Sequence, residues 1–425
     1  LQKGLLIDAL EATDSGVYVE QFSCELNGDI DVDVFRSCLS ALLQRHGVLR
    51  TAFNWENVEE PVQIVFRQAK LNFLVVDKSA ERGFSFETFL AEDLANGFVL
   101  NRIPLIRFAL IRVSESKWQF VWTHHHILMD GWCRPMLFPE FVQSYVASKL
   151  GVPVTIPSRR TFSDYIAWLK KQDTQKAESF WRKYLSRATY PSIVPFEIDE
   201  AAAGGRDQYD EITRTISKSA TEKISGLAKR EGLTFNTIFS GAYAVLLGRC
   251  TQERSALFGT IVSGRPADFE GASDAIGLFI NAVPLWTDLP PEMSCTKWLF
   301  ELHTHLAEAR EFKWSPLVKI NNWSPLPPLS PLFESLLVFE NYPVSAMADA
   351  PRATGLTIDN VRVHERTHYP LTLIIVPGES ISLKLIYDSS RHQAAQMQSF
   401  LDAYFEVLDC FSARPESALA EIKTT

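Results

Sequence analysis

The chain of 425 residues has no CxxC pair, and its six cysteines (Cys24, Cys38, Cys133, Cys250, Cys295 and Cys410) are scattered along its length. That scatter excludes a zinc ribbon or a disulfide framework. It reads as reduced thiols in a core, the expectation for a cytoplasmic protein. No stretch reaches the roughly 18 uninterrupted apolar residues of a membrane helix, and no secretory leader pattern opens the chain, so no membrane association is expected. Positive charge is in short supply: 42 Lys and Arg stand against 51 Asp and Glu, a formal net charge of -9. A nucleic-acid partner would need a basic face and is not expected. GxSxG, the elbow of a serine nucleophile, does not occur.

What is present is ordinary globular composition, 46% hydrophobic and 22% charged, over a length that suggests more than one domain. Strand-like and helix-like stretches alternate. Val17 to Leu26 reads as a strand, and after the turn Asn27-Gly28-Asp29 a helix follows. Asp31 or Asp33 is its N-cap, with Phe35, Cys38, Leu39, Leu42 and Leu43 on helical spacing. Phe108 to Val113 and Trp118 to Thr123 read as two strands joined by a polar turn, and Leu137 to Leu150 as an amphipathic helix. A Pro-, Ser- and Arg-rich texture near residues 151 to 160 precedes a helical stretch from Tyr165 to Tyr184. Beyond it come a strand at Tyr209 to Ile216, helices from Ser219 or Thr221 to Arg230 and from Asn236 to about Leu247, and a hairpin pairing Leu371 to Val376 with Ile381 to Tyr387. Each half mixes sheet and helix, so the expectation is an α/β chain of two lobes, residues 1–174 and 175–425.

Chemistry concentrates in His124-His125-His126-Ile127-Leu128-Met129-Asp130-Gly131. A strand continued with period two places Phe120, Trp122, His124 and His126 on one face. Three successive histidines then point alternately to opposite faces, so they cannot all ligate one metal, and no metal is expected. A histidine where a strand gives way to a loop can reach into a cleft and take a proton from an amine or hydroxyl.

The run His125-His126-Ile127-Leu128-Met129-Asp130-Gly131 resembles the HHxxxDG signature of the condensation-domain superfamily of nonribosomal peptide synthetases. The Asp-Gly pair sets the register: His126, four residues before Asp130, matches the active second histidine, His125 its companion, and His124 is an extra. Further segments follow in family order. Arg45-His46-Gly47-Val48-Leu49-Arg50-Thr51-Ala52-Phe53 is similar to RHxxLRTxF, and Phe180-Trp181-Arg182-Lys183-Tyr184-Leu185 to a short motif between the lobes. Gly259-Thr260-Ile261-Val262-Ser263-Gly264-Arg265-Pro266 is similar to GxxxSGRP, and Ile276 to Leu285 to IGxFxNxxPL.

The resemblance implies two chloramphenicol acetyltransferase-like lobes forming a V around a central tunnel, the first carrying HHxxxDG and the second the SGRP and IGLFIN segments. It implies a reaction in which the α-amine of an acceptor aminoacyl thioester attacks a donor aminoacyl or peptidyl thioester. The substrates are the phosphopantetheine arms of upstream and downstream carrier proteins, an adenylation domain is a neighbour, and no cofactor is held permanently. His126 is the catalytic residue, as base, orienting group or oxyanion donor. Arg265 is placed against Asp130 as a brace, and Gly131 serves the turn through an unusual φ or a close approach. Read from the residues alone, His46 and Arg50 cap a helix or pair with carboxylates.

Leu1 to Leu10 and His368-Tyr369-Pro370-Leu371-Thr372-Leu373 look like the corresponding segments of domains that join a D-configured donor to an L-acceptor, with departures at Lys3 and Ile7-Asp8. The competing readings are a standalone coenzyme A-dependent acyltransferase of the same superfamily and a non-catalytic condensation-like recruitment domain.

Overall fold

Period-two alternation at Trp118, Phe120 and Trp122 becomes a central strand, and the structure grows outward from it. The computed structural model describes residues 2–11, 18–194, 209–327, 330–340 and 356–423. They divide into two compact units.

The first unit comprises Leu1–Lys171, Arg265–Phe279 and Tyr342–His368. Its elements are α1 (Gln2–Glu11), β1 (Val19–Asn27), α2 (Val32–Arg45), β2 (Thr51–Asn54), β3 (Val62–Val65), β4 (Phe73–Asp77), α3 (Phe86–Ala95), β5 (Ile106–Arg112), β6 (Lys117–His125), α4 (Arg134–Leu150) and α5 (Phe162–Leu169), and a late strand, β11 (Thr357–His364). A five-stranded sheet runs β11-β1-β6-β5-β4, with β2 and β3 pairing apart from it. Phe22, Phe120, Trp122 and Phe108 on the sheet pack with Phe35 of α2 and Phe138 and Phe141 of α4 in one aromatic-rich core. Asp31 is the N-cap of α2, accepting from the amides of Asp33 and Val34, and the helical apolar positions named from sequence are all buried.

The second unit comprises Gln172–Gly264, Ile280–Asn341 and Tyr369–Thr425. It contains α6 (Thr174–Tyr184), β7 (Tyr209–Ile216), α7 (Lys218–Glu231), α8 (Phe235–Thr251), β8 (Ser255–Val262), β9 (Asn281–Asp288), α9 (Cys295–Glu311), α10 (Leu317–Trp323), β10 (Ser335–Phe339), β12 (Leu371–Val376), β13 (Ile381–Asp388) and α11 (Ala394–Ala413). Its six-stranded sheet runs β7-β13-β12-β10-β8-β9. The sheet is mixed: β10 is parallel to both β12 and β8, whereas β8 and β9 are antiparallel. α8 is buried nearly all round, as a helix apolar on every face must be.

The chain is thus α/β in both units, as expected. The single helical stretch read over Tyr165 to Tyr184 is two helices: Asp173 accepts from the amides of Gln175 and Lys176 and so starts α6 afresh. The division also differs from a single cut between 174 and 175. Residues 265–279 and β11 belong to the first unit, because β11 pairs with β1 and residues 265–279 bond to the loop after β6. Among the described residues, no helix is long and apolar enough to cross a membrane.

Candidate active site

The antiparallel register of β1 on β6 sets Glu20 directly opposite His124. Side chains two apart on β6 share a face, so His126 follows His124 toward the same carboxylate. β6 ends at His125, but the amide of His126 still donates to the Tyr18 carbonyl at 2.7 Å, which extends the pairing by one residue. Glu20 is buried. Its Oε1 lies 2.7 Å from His126 Nδ1, and its Oε2 lies 2.8 Å from Arg134 at the start of α4 and 3.3 Å from His124 Nε2. Arg134 also pairs with Glu365, just past β11.

The three histidines therefore sit in three different environments. His125 is buried, and its Nδ1 accepts the Ile127 amide at 3.1 Å, pinning the loop as it leaves the strand. Burial, with His126 and His124 beside it, pushes its pKa down to about 3, so it is neutral. Burial likewise lowers His124, against the pull of Glu20. His126 goes the other way. Burial opposes its charge, but Glu20, through charge and hydrogen bond, with Glu365 and Asp130 behind it, lifts the pKa to about 9. For Glu20, burial disfavours the carboxylate, yet His126 and Arg134 outweigh it and hold the group well below the usual range.

Asp130 closes the loop. One oxygen accepts the Phe279 amide at 2.9 Å, and the other lies 3.3 Å from Arg265. Arg265 in turn donates to the carbonyls of Ala272 and Ala275 at 2.6 and 2.7 Å, and its guanidinium lies 4.2 Å from the centroid of the Phe279 ring. Sequence and structure thus bring Arg265 and Asp130 together across 135 positions. Gly131 opens a short 3-10 turn, Gly131–Cys133, and so serves the turn, without a positive φ. A tight approach also occurs at Gly277, where a Cβ would stand 2.2 Å from the Phe162 ring.

His46 and Arg50 are structural. His46 Nε2 and Arg45 meet Glu140 of α4 at 2.9 and 2.5 Å, and Arg50 donates to carbonyls of Leu43, Gln44 and Phe66. Glu20, Arg134 and Glu365 were not singled out from sequence. Nothing in their local pattern marks them, because only the β1–β6 register and the α4 start join them to His126. Tyr18 was also missed. Its hydroxyl donates to Asp8 at 3.0 Å and also partners His368, and its ring stacks 6.4 Å from that of His126. Among the described residues, no group of three or more His, Cys, Asp or Glu side chains could hold a metal ion.

Residues 1–425 match the sequence model of the family described as Condensation domain. A linear gramicidin synthase polypeptide of Brevibacillus parabrevis is 35% identical over 426 residues, covering 99% of this chain and 8% of its own length. A second polypeptide of the same synthase is 34% identical over 430 residues, 99% of this chain and 6% of its own. Bacitracin synthase 3 of Bacillus licheniformis is 32% identical over 399 residues, 92% of this chain and 6% of its own. The chain therefore spans only a small part of the curated relatives it matches.

Two solved structures share the fold over 100% of this chain. One is a holo four-domain nonribosomal peptide synthetase bound to AMP and glycine, with a TM-score of 0.86 at 16% identity and 33% of that chain covered. The other is the X-domain from teicoplanin biosynthesis, with a TM-score of 0.84 at 20% identity and 97% covered.

Proposed function

The chain belongs to the condensation-domain family, and from that premise we propose that it forms an amide bond between two carrier-bound thioesters. The acceptor's α-amine attacks the thioester carbonyl of a donor aminoacyl or peptidyl group. The new N–C bond forms, the C–S bond breaks, and the donor's phosphopantetheine thiol leaves. The substrates are the arms of an upstream and a downstream carrier protein, with an adenylation domain nearby in the same assembly, and the protein holds no cofactor of its own. Peptide-synthase relatives at 31–35% identity support this reading.

One observation carries it to a residue. Of the three histidines, His124 is 0% and His125 3% exposed, whereas the His126 side chain keeps 16% of its surface open. Only His126 combines an accessible edge with a carboxylate behind it. Most of the rate comes from delivering both partners on tethered arms, which makes a bimolecular step effectively unimolecular. His126 supplies the proton transfer, worth about 10²–10⁴-fold. Asp130 and Arg265 hold the loop that presents it, and His125 pins its start.

The donor's configuration is part of the same proposal: the donor is D-configured. Leu1 to Leu10 and His368 to Leu373, the segments that resemble D-donor domains, supply Asp8 and His368, and both partner Tyr18 beside His126.

Intact mass spectrometry of the acceptor carrier, after incubation with donor carriers loaded with matched D- and L-aminoacyl groups, tests both parts. The expected result is transfer from D-donors and a loss of roughly two orders of magnitude or more in His126→Ala. Equal transfer from L-donors overturns the stereochemical part. Turnover of coenzyme A thioesters with no transfer between carriers overturns the synthetase reading.

A further inference from the structure

Nδ1 of His126 faces two oxygens, Glu20 Oε1 at 2.7 Å and the Met129 carbonyl at 3.0 Å. A carbonyl only accepts, and so does an ionised carboxylate, so Nδ1 must carry the hydrogen. Among the described residues, Nε2 makes no hydrogen bond, which leaves it as the ring atom available to a substrate. Glu20 is itself fixed by Arg134 at 2.8 Å, and Arg134 by Glu365. Glu20, with Glu365 behind Arg134, surrounds His126 with negative charge that favours its imidazolium form.

We propose that Glu20 is a positioning residue for His126: it fixes the Nδ1–H form and leaves Nε2 to take a proton from the substrate. This rests on the amide-forming reading above.

The carboxylate 2.7 Å behind Nδ1 favours a proton on the ring, so His126 takes one at Nε2 from the acceptor's ammonium. The freed amine is the nucleophile. Its lone pair forms the N–C bond, the C–S pair leaves with sulfur, and the second proton lost from nitrogen ends on that sulfur. The proton taken first stays on His126 and passes to solvent afterwards.

The other titratable groups around the ring do not duplicate this role. His124 and His125 are pushed down by burial, Tyr18 and His368 are tied to each other and to Asp8, and Arg134 is held between two carboxylates.

The test is a pH titration of the intact chain labelled with 15N-histidine, with the His126 ring identified by its loss in His126→Ala. The expected result is an Nδ1–H tautomer at high pH and a protonation midpoint well above 6.5. In Glu20→Gln the midpoint falls by about one pH unit or more, and Glu20→Asp restores much of that shift. The pH profile of carrier-to-carrier transfer moves in the same direction, which loss of fold alone would not produce. An Nε2–H tautomer, or an ordinary midpoint in the unmutated protein, overturns the proposal without any variant having to fold. Because the titration needs no turnover, a shifted His126 in a chain that transfers nothing would sink the amide-forming reading, not the positioning role.

Discussion

A buried carboxylate is costly unless each oxygen is matched, and Asp130, with no exposed surface, is matched by the Phe279 amide and by Arg265. Removing one partner of such a pair leaves the other charge stranded. Arg265→Ala is therefore expected to lower unfolding stability by about 3 kcal/mol, read by denaturant titration, and to lower transfer with it. An unchanged midpoint and unchanged activity would remove Arg265 from the loop's support. At this scale the sequence is informative where a motif has fixed spacing: His126 stands four positions before Asp130, and the resemblance to HHxxxDG gives it the active place among three histidines. Glu20 was not legible because its partner is set by strand register, which places position 20 opposite position 124 through hydrogen bonds that no local pattern encodes. Gly131 serves the turn as read, opening the 3-10 segment Gly131–Cys133 without a positive φ, whereas the close approach at Gly277, far away in sequence, was not legible.

Elements position the site as much as its residues do. α5 brings Phe162 and Tyr165 against the loop that carries Gly277 and Phe279, with the Tyr165 and Phe279 rings 4.6 Å apart between centroids. The Gly277 carbonyl accepts the Asp130 amide at 3.2 Å, so anything that lifts this loop off α5 pulls on the histidine loop. In Gly277→Ala the added methyl meets Phe162, which cannot yield without moving Phe279. The expected cost is about 1–3 kcal/mol, with transfer reduced further than stability explains, measured by thermal unfolding beside the transfer assay. A variant as stable and as active as the parent would show that the loop has slack.

Most helices and strands were legible, because apolar periodicity and caps are local: Asp31 caps α2, and β7 runs from Tyr209 to Ile216 as read. The break between α5 and α6 was not, since an aromatic, charged run keeps helical spacing across the Asp173 cap.

At the scale of the whole molecule, neither unit is a continuous stretch of chain. The first takes its β11 edge strand from residues 357–364 and the partners of Asp130 from 265–279. Two α/β units were readable from the alternation of elements, but this interleaving was not, because composition cannot report which distant strand completes a sheet. A fragment of residues 1–174 would expose the edge of β1 and leave Asp130 unmatched. It is expected to lack a cooperative unfolding transition by calorimetry, and a stably folded fragment would show that the late segments are accessory.

The proposed function has this chain move an acyl group between carriers through His126. The direct measurement is single-turnover transfer from a loaded donor carrier to a loaded acceptor carrier, followed by intact mass, for the parent and for a folded His126→Ala. The expected result is a donor-sized mass gain on the acceptor with the parent and a rate lower by about 100-fold or more with the variant. Equal rates in the two proteins would contradict it.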